Sequence, residues 1–380
     1  MIPYGRQEIT EKDIKAVVDV LRSDFLTQGS VVPKFEHKLC AYTGVENAVA
    51  VNSCTSALHI ACLALNLGPG DILWTSPISF VASANCGLYC GASVDFVDVD
   101  PDTALMSVNA LESKLEQAKQ QGKLPKIVIP VHLAGQSCDM KAISKLGEKY
   151  NFRIIEDAAH AIGASYLNKN VGSCQYSDIT VFSFHPVKVI TTGEGGTALT
   201  NNLEVAKKMQ LLRSHGITRD SKEMTNSIVS DWYYEQISLG FNYRMTDFQA
   251  ALGISQLSRL DEYVAKRSKI AHWYDEQFSN MTVIPLSDAG YGSSSHHLYV
   301  VRVKNGKDER DKLYNYLRKN GISVNLHYIP IYRQPFFNRK IRLFGVEKYF
   351  ESAISLPIFP KLSKKDLKKI ITVIYKFYEN

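Results

Sequence analysis

No stretch of this 380-residue chain holds the ~20 consecutive apolar residues that crossing a bilayer demands. The first residues, Met1-Ile2-Pro3-Tyr4-Gly5-Arg6, lack the apolar centre of a signal peptide, so the cytoplasm is the expected address. Cysteine occurs seven times without a CxxC pair, and the odd count argues against a disulfide framework. Cys86 and Cys90 lie one helical turn apart, but no nearby His or Cys pair completes a zinc set. Buried thiols in a reducing compartment are expected instead. The chain also lacks a Walker A sequence, a Gly-x-Gly-x-x-Gly helix opening and a G-x-S-x-G elbow. Its net charge of +6, from 44 basic and 38 acidic residues, is thinly spread. A nucleic-acid reader would show a denser basic stripe and a reading motif. The modest excess still suits a phosphate-bearing small substrate.

What is present is enough chain for two domains, with no internal repeat and no low-complexity linker. Short apolar runs at 47–52, 72–75, 94–97, 127–130, 153–157 and 179–184 read as strands, with helical periodicity at 11–22, 55–65 and 142–150. Such all-apolar strands between helices predict a largely parallel sheet covered on both faces. The pattern changes near residue 245. A long helix is expected over 246–278, then strands at 297–303 and 323–326 and helices at 308–319 and 364–378. The expectation is a large α/β domain over 1–250 and a smaller C-terminal α+β domain over 251–380.

The most informative stretch runs from Val181 to Gly196: an apolar strand, Ser183, Lys188 five residues on, and a glycine turn. A merely solvating lysine is less expected between a buried strand and such a turn. A buried amine loses its charge more readily, which suits Schiff-base formation, and Ser183 can donate to a phosphate. Asp157 ends the strand Arg153-Ile154-Ile155-Glu156-Asp157, where α/β proteins place ligand-facing groups. There it can hold a pyridine nitrogen protonated or cap a following helix. Alternation turns Glu156 to the opposite face. Asn52-Ser53-Cys54-Thr55-Ser56 leads a strand into a helix start, either an anion site or ordinary capping. Phe80 can stack on a planar ring or fill a core.

These segments together resemble the DegT-type sugar aminotransferases, fold-type I enzymes that depend on pyridoxal phosphate. The likeness runs from about Tyr4 to the C-terminus, through Leu26-Thr27-Gln28-Gly29, Glu156-Asp157-Ala158-Ala159-His160, Asn242-Tyr243-Arg244-Met245 and His327-Tyr328. Within the family, Ser-Phe-His-Pro-Val-Lys, Leu-Arg-Ser-His-Gly-Ile and His160 resemble the branch of pseudaminic acid synthesis. The resemblance implies a mostly parallel seven-stranded sheet and a homodimer with shared active sites. It implies amination of a UDP-linked 4-keto-6-deoxy-N-acetylhexosamine with L-glutamate as donor. The alternatives it leaves are another nucleotide-linked keto sugar, of bacillosamine or dTDP type, and a non-enzymatic regulator on the same fold.

Carried over by position, Lys188 would bond the cofactor and Asp157 would pair with its ring nitrogen. Thr55, Ser56 and Ser183 would bind its phosphate, joined by Asn242 of the other subunit. Phe80 would cover the ring and His160 would meet its hydroxyl side. Tyr4, Phe25, Leu26, Thr27, Arg244, Asn325, Leu326, His327 and Tyr328 would contact the sugar nucleotide, and no metal is implied. Cys54 departs from the family's usual Gly or Ala but spares the donor positions. Dehydrases of the family carry His in place of the lysine, so Lys188 favours transamination.

Overall fold

The structure, a computed structural model, describes residues 1–226, 230–279 and 281–379. Two helices, α1 (Glu11–Leu21) and α2 (Val31–Thr43), precede the central sheet. The sheet is built from β1 (Asn47–Val51), β2 (Ile72–Thr75), β3 (Ser93–Phe96), β4 (Ile127–Ile129) and β5 (Arg153–Asp157). Beyond a small hairpin of β6 (Ser165–Tyr166) and β7 (Lys169–Asn170), it gains β8 (Ile179–Ser183) and β9 (Gly196–Thr200). The spatial order is β1-β9-β8-β5-β4-β2-β3. Strands β3, β2, β4, β5 and β8 pair in parallel. Only β9 is reversed, antiparallel to both β8 and β1.

Burial on both faces explains the uninterrupted apolar strands. Ile155, Ile179 and Val181 are wholly inaccessible, each worth ~1.5–3 kcal/mol relative to an exposed side chain. The parallel strands alternate with helices α3 (Cys54–Ala64), α4 (Ala82–Tyr89), α5 (Val108–Gln120) and α6 (Met140–Tyr150). Helix α7 (Leu203–Arg213) follows β9, then a short β10–β11 ladder (Ile217–Thr218 with Glu235–Gln236).

The expected helix over 246–278 is two helices, α8 (Asp247–Leu257) and α9 (Leu260–Phe278). The chain breaks at Arg259, with φ −118° and ψ 10°. A specific demand explains the break. The Arg259 guanidinium reaches both carboxylate oxygens of buried Asp13 at 2.7 Å and donates to the Tyr263 hydroxyl at 2.9 Å. Asp13 also closes the capping box of α1 on Thr10, so one carboxylate joins the first helix to the break.

A second, antiparallel sheet contains β12 (Ile284–Pro285), β13 (Tyr299–Arg302) and β14 (Ala353–Leu356). Around it lie α9, α10 (Lys307–Lys319), α11 (Phe344–Ser352) and α12 (Lys364–Glu379). Its core includes Tyr274 stacked on Tyr299 at 4.7 Å and the buried face of α12 at Leu367, Ile370 and Ile374. The strand expected at 323–326 is absent. Isolated bridges, Ile2 to Ile322 and Asn325 to Ser355, stand in its place. The Asn325 side chain accepts the Leu326 N–H at 2.9 Å, a local bond that competes with a regular ladder.

Candidate active site

Lys188 sits in the β8–β9 connection, and that loop is held from several sides. Phe184 N–H donates to the Gly195 carbonyl at 2.9 Å, and Thr192 N–H donates to the Phe184 carbonyl at 3.0 Å. Val189 and Ile190 are buried. From α8, Gln249 Nε2 donates to the Glu194 carbonyl at 2.9 Å. The turn needs its glycine at 193, where φ is +83°. Thus anchored, Lys188 lines a cavity of about 1020 Å³ that Asp157 and Ser183 also line. Burial lowers the pKa of the Lys188 amine, against the opposing pull of Cys54 and Asp157.

Asp157 closes β5 and accepts the Ser83 hydroxyl at 2.6 Å and the Ala159 N–H at 3.1 Å. The chain after it forms turns, so the cap alternative has no helix to serve. Glu156 faces the other way, as alternation expects. It meets His132 Nε2 at 2.6 Å and accepts the Thr180 hydroxyl at 3.0 Å and that of Ser177. His132 Nδ1 accepts the Cys138 N–H at 3.2 Å, which leaves Nε2–H to donate to the carboxylate. Burial alone would raise the Glu156 pKa; the contacts with His132, Ser177 and Thr180 outweigh it and hold the carboxyl below its ordinary range.

The start of α3 forms the opposite wall. Ser53 caps the helix by accepting the Ser56 N–H at 3.1 Å, and Ser56 donates to Asn52 Oδ1 at 2.7 Å. The first N–H groups of such a helix have no partner within it, which suits an anion at this end, and Cys54 and Thr55 line the cavity there. Of the alternatives in the sequence, the cap is formed, and it leaves this helix start facing the cavity. Gly196 is indispensable to this packing: a Cβ there would lie 2.5 Å from Cys54 N.

Phe80, 61% exposed, is part of the cavity lining. His160 is buried, accepts the Ala134 N–H at Nδ1 (3.3 Å) and meets the Tyr328 hydroxyl through Nε2 at 3.1 Å. Burial, then the charges of Lys188 and His327, pushes its pKa well down, so the ring is neutral. Tyr4, Asn325, Leu326, His327 and Tyr328 line the same cavity. His327 bonds Ser355 Oγ at 2.8 Å, and burial beside Lys188 lowers its pKa to about 3.

The structure therefore gathers Thr55, Ser56, Phe80, Asp157, His160, Ser183 and Lys188 with Tyr4 and residues 325–328. Phe25, Leu26, Thr27, Asn242 and Arg244 are not part of that lining. Thr27 bridges to Thr246, Arg244 to Val51 and Asn242 to Ser214. Asn242, Phe25 and Leu26 are exposed. Sequence reasoning missed Ser83 and His297. Ser83 lies three residues after Phe80 and could have been found from that helical spacing. His297 was absorbed into an expected strand, yet it packs on His160 with ring centroids 4.4 Å apart. Among the described residues, no group of three His, Cys, Asp or Glu side chains could hold a metal ion, and no helix is long and apolar enough to cross a membrane.

A cavity that joins a desolvated lysine, a buried aspartate and a helix start invites comparison with known enzymes. The model of the DegT/DnrJ/EryC1/StrS aminotransferase family matches residues 7–375. The chain belongs to that family. As a DegT-family member it is an aminotransferase that depends on pyridoxal phosphate. The chain is 38% identical to the UDP-4-amino-4,6-dideoxy-N-acetyl-beta-L-altrosamine transaminase of Campylobacter jejuni, over 100% of this chain and 98% of that protein. It is 36% identical to the spore coat polysaccharide biosynthesis protein SpsC of Bacillus subtilis, over 98% and 96%. Its fold matches Helicobacter pylori PseC, described as an aminotransferase involved in pseudoaminic acid biosynthesis. There the TM-score is 0.90 at 34% identity, covering 100% of this chain and 99% of that one. The residues lining this cavity fit that cofactor: the Lys188 amine, the Asp157 carboxylate, the start of α3 and the Phe80 ring.

Proposed function

We propose that this aminotransferase moves an amino group from L-glutamate to C4 of a UDP-linked 4-keto-6-deoxy-N-acetylhexosamine of the β-L-altrosamine precursor type. One observation carries the reading: Lys188, Asp157 and the α3 start share a single cavity of about 1020 Å³. That volume is at the upper end of ordinary ligand pockets, roughly 300–1,000 Å³, and suits a cofactor with a sugar nucleotide beside it. The names of the Campylobacter and Helicobacter relatives support the choice of sugar.

Bound pyridoxal phosphate supplies a carbonyl for the lysine amine and an electron sink for the substrate. Lys188 Nζ, already inclined to neutrality, takes a proton from one carbon and returns it to another. Asp157, fixed by Ser83, holds positive charge at the ring nitrogen. Thr55, Ser56, Ser183 and the α3 N–H groups bind the phosphate. Phe80 covers the ring, and neutral His160 serves its hydroxyl side. Tyr4 and residues 325–328 face the sugar nucleotide. The cavity draws on both sides of residue 250, and we take 1–250 and 251–380 as the two domains around it. Asn242, Phe25, Leu26, Thr27 and Arg244 serve the neighbouring site of a homodimer; their absence from the lining of their own cavity supports this assignment.

Incubating purified protein with glutamate and a panel of UDP- and dTDP-linked keto sugars tests the substrate. The 4-amino UDP-sugar is the expected product, and turnover of dTDP-linked or 3-keto sugars alone would overturn the reading. Mixing inactive Lys188→Ala and Asn242→Ala subunits under verified exchange tests the shared site. Partial recovery of activity is expected; no recovery, with Asn242→Ala alone severely impaired, would place Asn242 in its own subunit's site.

A further inference from the structure

We infer that Tyr328 tells the keto sugar from its amino product, by donating its hydroxyl hydrogen to the C4 oxygen in a direction that His160 sets. The inference rests on the keto-sugar reading of the cavity, and it begins from a donor that cannot reverse. The backbone N–H of Ala134 meets His160 Nδ1 at 3.3 Å. A backbone N–H only donates, so Nδ1 is the acceptor and the neutral ring carries its hydrogen on Nε2. Nε2 lies 3.1 Å from the Tyr328 hydroxyl, which therefore accepts. The hydroxyl's own hydrogen turns away from His160, and among the described residues no group takes it. Burial, and then the charge of Asp157, raises the pKa of the phenol, so that hydrogen stays in place near neutral pH.

The relay is anchored from behind. Ser295, wholly buried, donates its N–H to the Gly135 carbonyl at 3.1 Å and its hydroxyl to the His160 carbonyl at 2.7 Å. Leu298 N–H donates to the Ala134 carbonyl at 3.3 Å, so one short segment holds both ends of the Ala134–His160 bond. The neighbouring His327 is arranged the other way. Asn325 Oδ1 accepts the Leu326 N–H, which leaves Nδ2 to donate to His327 Nε2 at 3.4 Å. The His327 hydrogen therefore sits on Nδ1 and is spent on Ser355 Oγ at 2.8 Å. Both residues line the cavity with Lys188, but Tyr328 is the one with a hydrogen left to offer.

What such a donor selects follows from the reaction. A ketone oxygen accepts hydrogen bonds and has none to give. The amine that replaces it is an ammonium ion near neutral pH, which donates and cannot accept. The fixed hydrogen of Tyr328 thus pairs with the substrate and opposes the N–H groups of the product. It holds the keto sugar and helps to expel the amino sugar. His160 acts here as a positioning residue, beside its task at the cofactor.

The test compares binding in pairs that cannot react: the UDP-linked 4-keto sugar with the aldehyde form of the holoenzyme, and its 4-amino product with the amine form. By calorimetry, Tyr328→Phe should weaken the keto sugar by about tenfold, the scale of one hydrogen bond, and leave the amino sugar as tight or tighter. The glutamate half-reaction, followed by cofactor absorbance, should stay within about twofold of wild type. Equal weakening of both sugars, or of neither, would overturn the inference. The direction of the relay is read separately by nitrogen NMR of the histidine-labelled holoenzyme, with the His160 signals assigned by their loss in His160→Gln. The hydrogen is expected on Nε2, and a hydrogen on Nδ1 would overturn the relay even if Tyr328→Phe does not fold. That spectrum needs no sugar. If the substrate panel selects a different keto sugar, the reading of the substrate fails while the relay stands, and the binding pair is taken from the sugar selected.

Discussion

Glu156 and Asp157 are adjacent carboxylates on one strand, both about 5% exposed, yet they belong to different worlds. Below the sheet, Glu156 is saturated by His132, Ser177 and Thr180. On the cavity side, Asp157 has the Ser83 hydroxyl and one backbone N–H, and shares its cavity with a desolvated amine. A carboxylate whose partners are all internal contributes to stability. One with acceptor capacity left beside a cavity is available for chemistry. The difference is created by strand alternation alone.

Four experiments bear on this contrast, from the largest expected effect to the smallest. Lys188→Ala should cut kcat by roughly 10²–10⁴-fold through loss of positioned proton transfer, with no loss of thermal stability. A variant that keeps near-normal turnover would remove Lys188 from the reaction. Asp157→Asn should slow the glutamate half-reaction by roughly 10²–10³-fold, the scale of one lost electrostatic partner, while its denaturation midpoint stays near wild type. Normal transamination would reduce Asp157 to a turn residue.

Glu156→Gln should show the reverse pattern: ~1.5–3 kcal/mol of stability lost and kcat little changed. Because the folded Glu156 pKa is depressed, its contribution is present above the ordinary carboxylate range and fades as pH falls through the lowered value. The stability gap between wild type and Glu156→Gln, followed by chemical denaturation, should therefore narrow toward acid. A gap that widens there would contradict the assigned ionisation. The smallest effects come from the hydroxyl neighbours. Ser83→Ala should reduce kcat by about tenfold, whereas Ser177→Ala should cost ~1 kcal/mol of stability and spare kcat. An equal kinetic effect from both would erase the contrast.

Much of this arrangement was legible in the chain. The strands at 72–75 and 153–157 have the expected bounds because uninterrupted apolar runs have one good use, a sheet covered on both sides. The opposite facing of Glu156 and Asp157 followed from period two, and the Lys188 loop from its position between a buried strand and a glycine turn. The break at Arg259 was not legible, since apolar periodicity continues across it. Its cause is Asp13, far away in the chain. Strand β9 was hidden by its own start, because Gly193, Gly195 and Gly196 together read as a turn. The close approach of Gly196 to α3 exists only in three dimensions. His297 looked like one more strand residue, and only folding placed it against His160.

The contact between Gly196 and the backbone of Cys54 acts as a gauge. It sets how far the lysine hairpin stands from the start of α3, by main chain against main chain. Side chains on either part can therefore be exchanged without altering that spacing, and the thiol at Cys54 is one such exchange. A single methyl group at position 196 would wedge the two apart, although it adds no charge and touches no substrate. Tolerance to change around this cavity should then run against intuition: generous at several residues that line it, and least at a glycine with no side chain to offer.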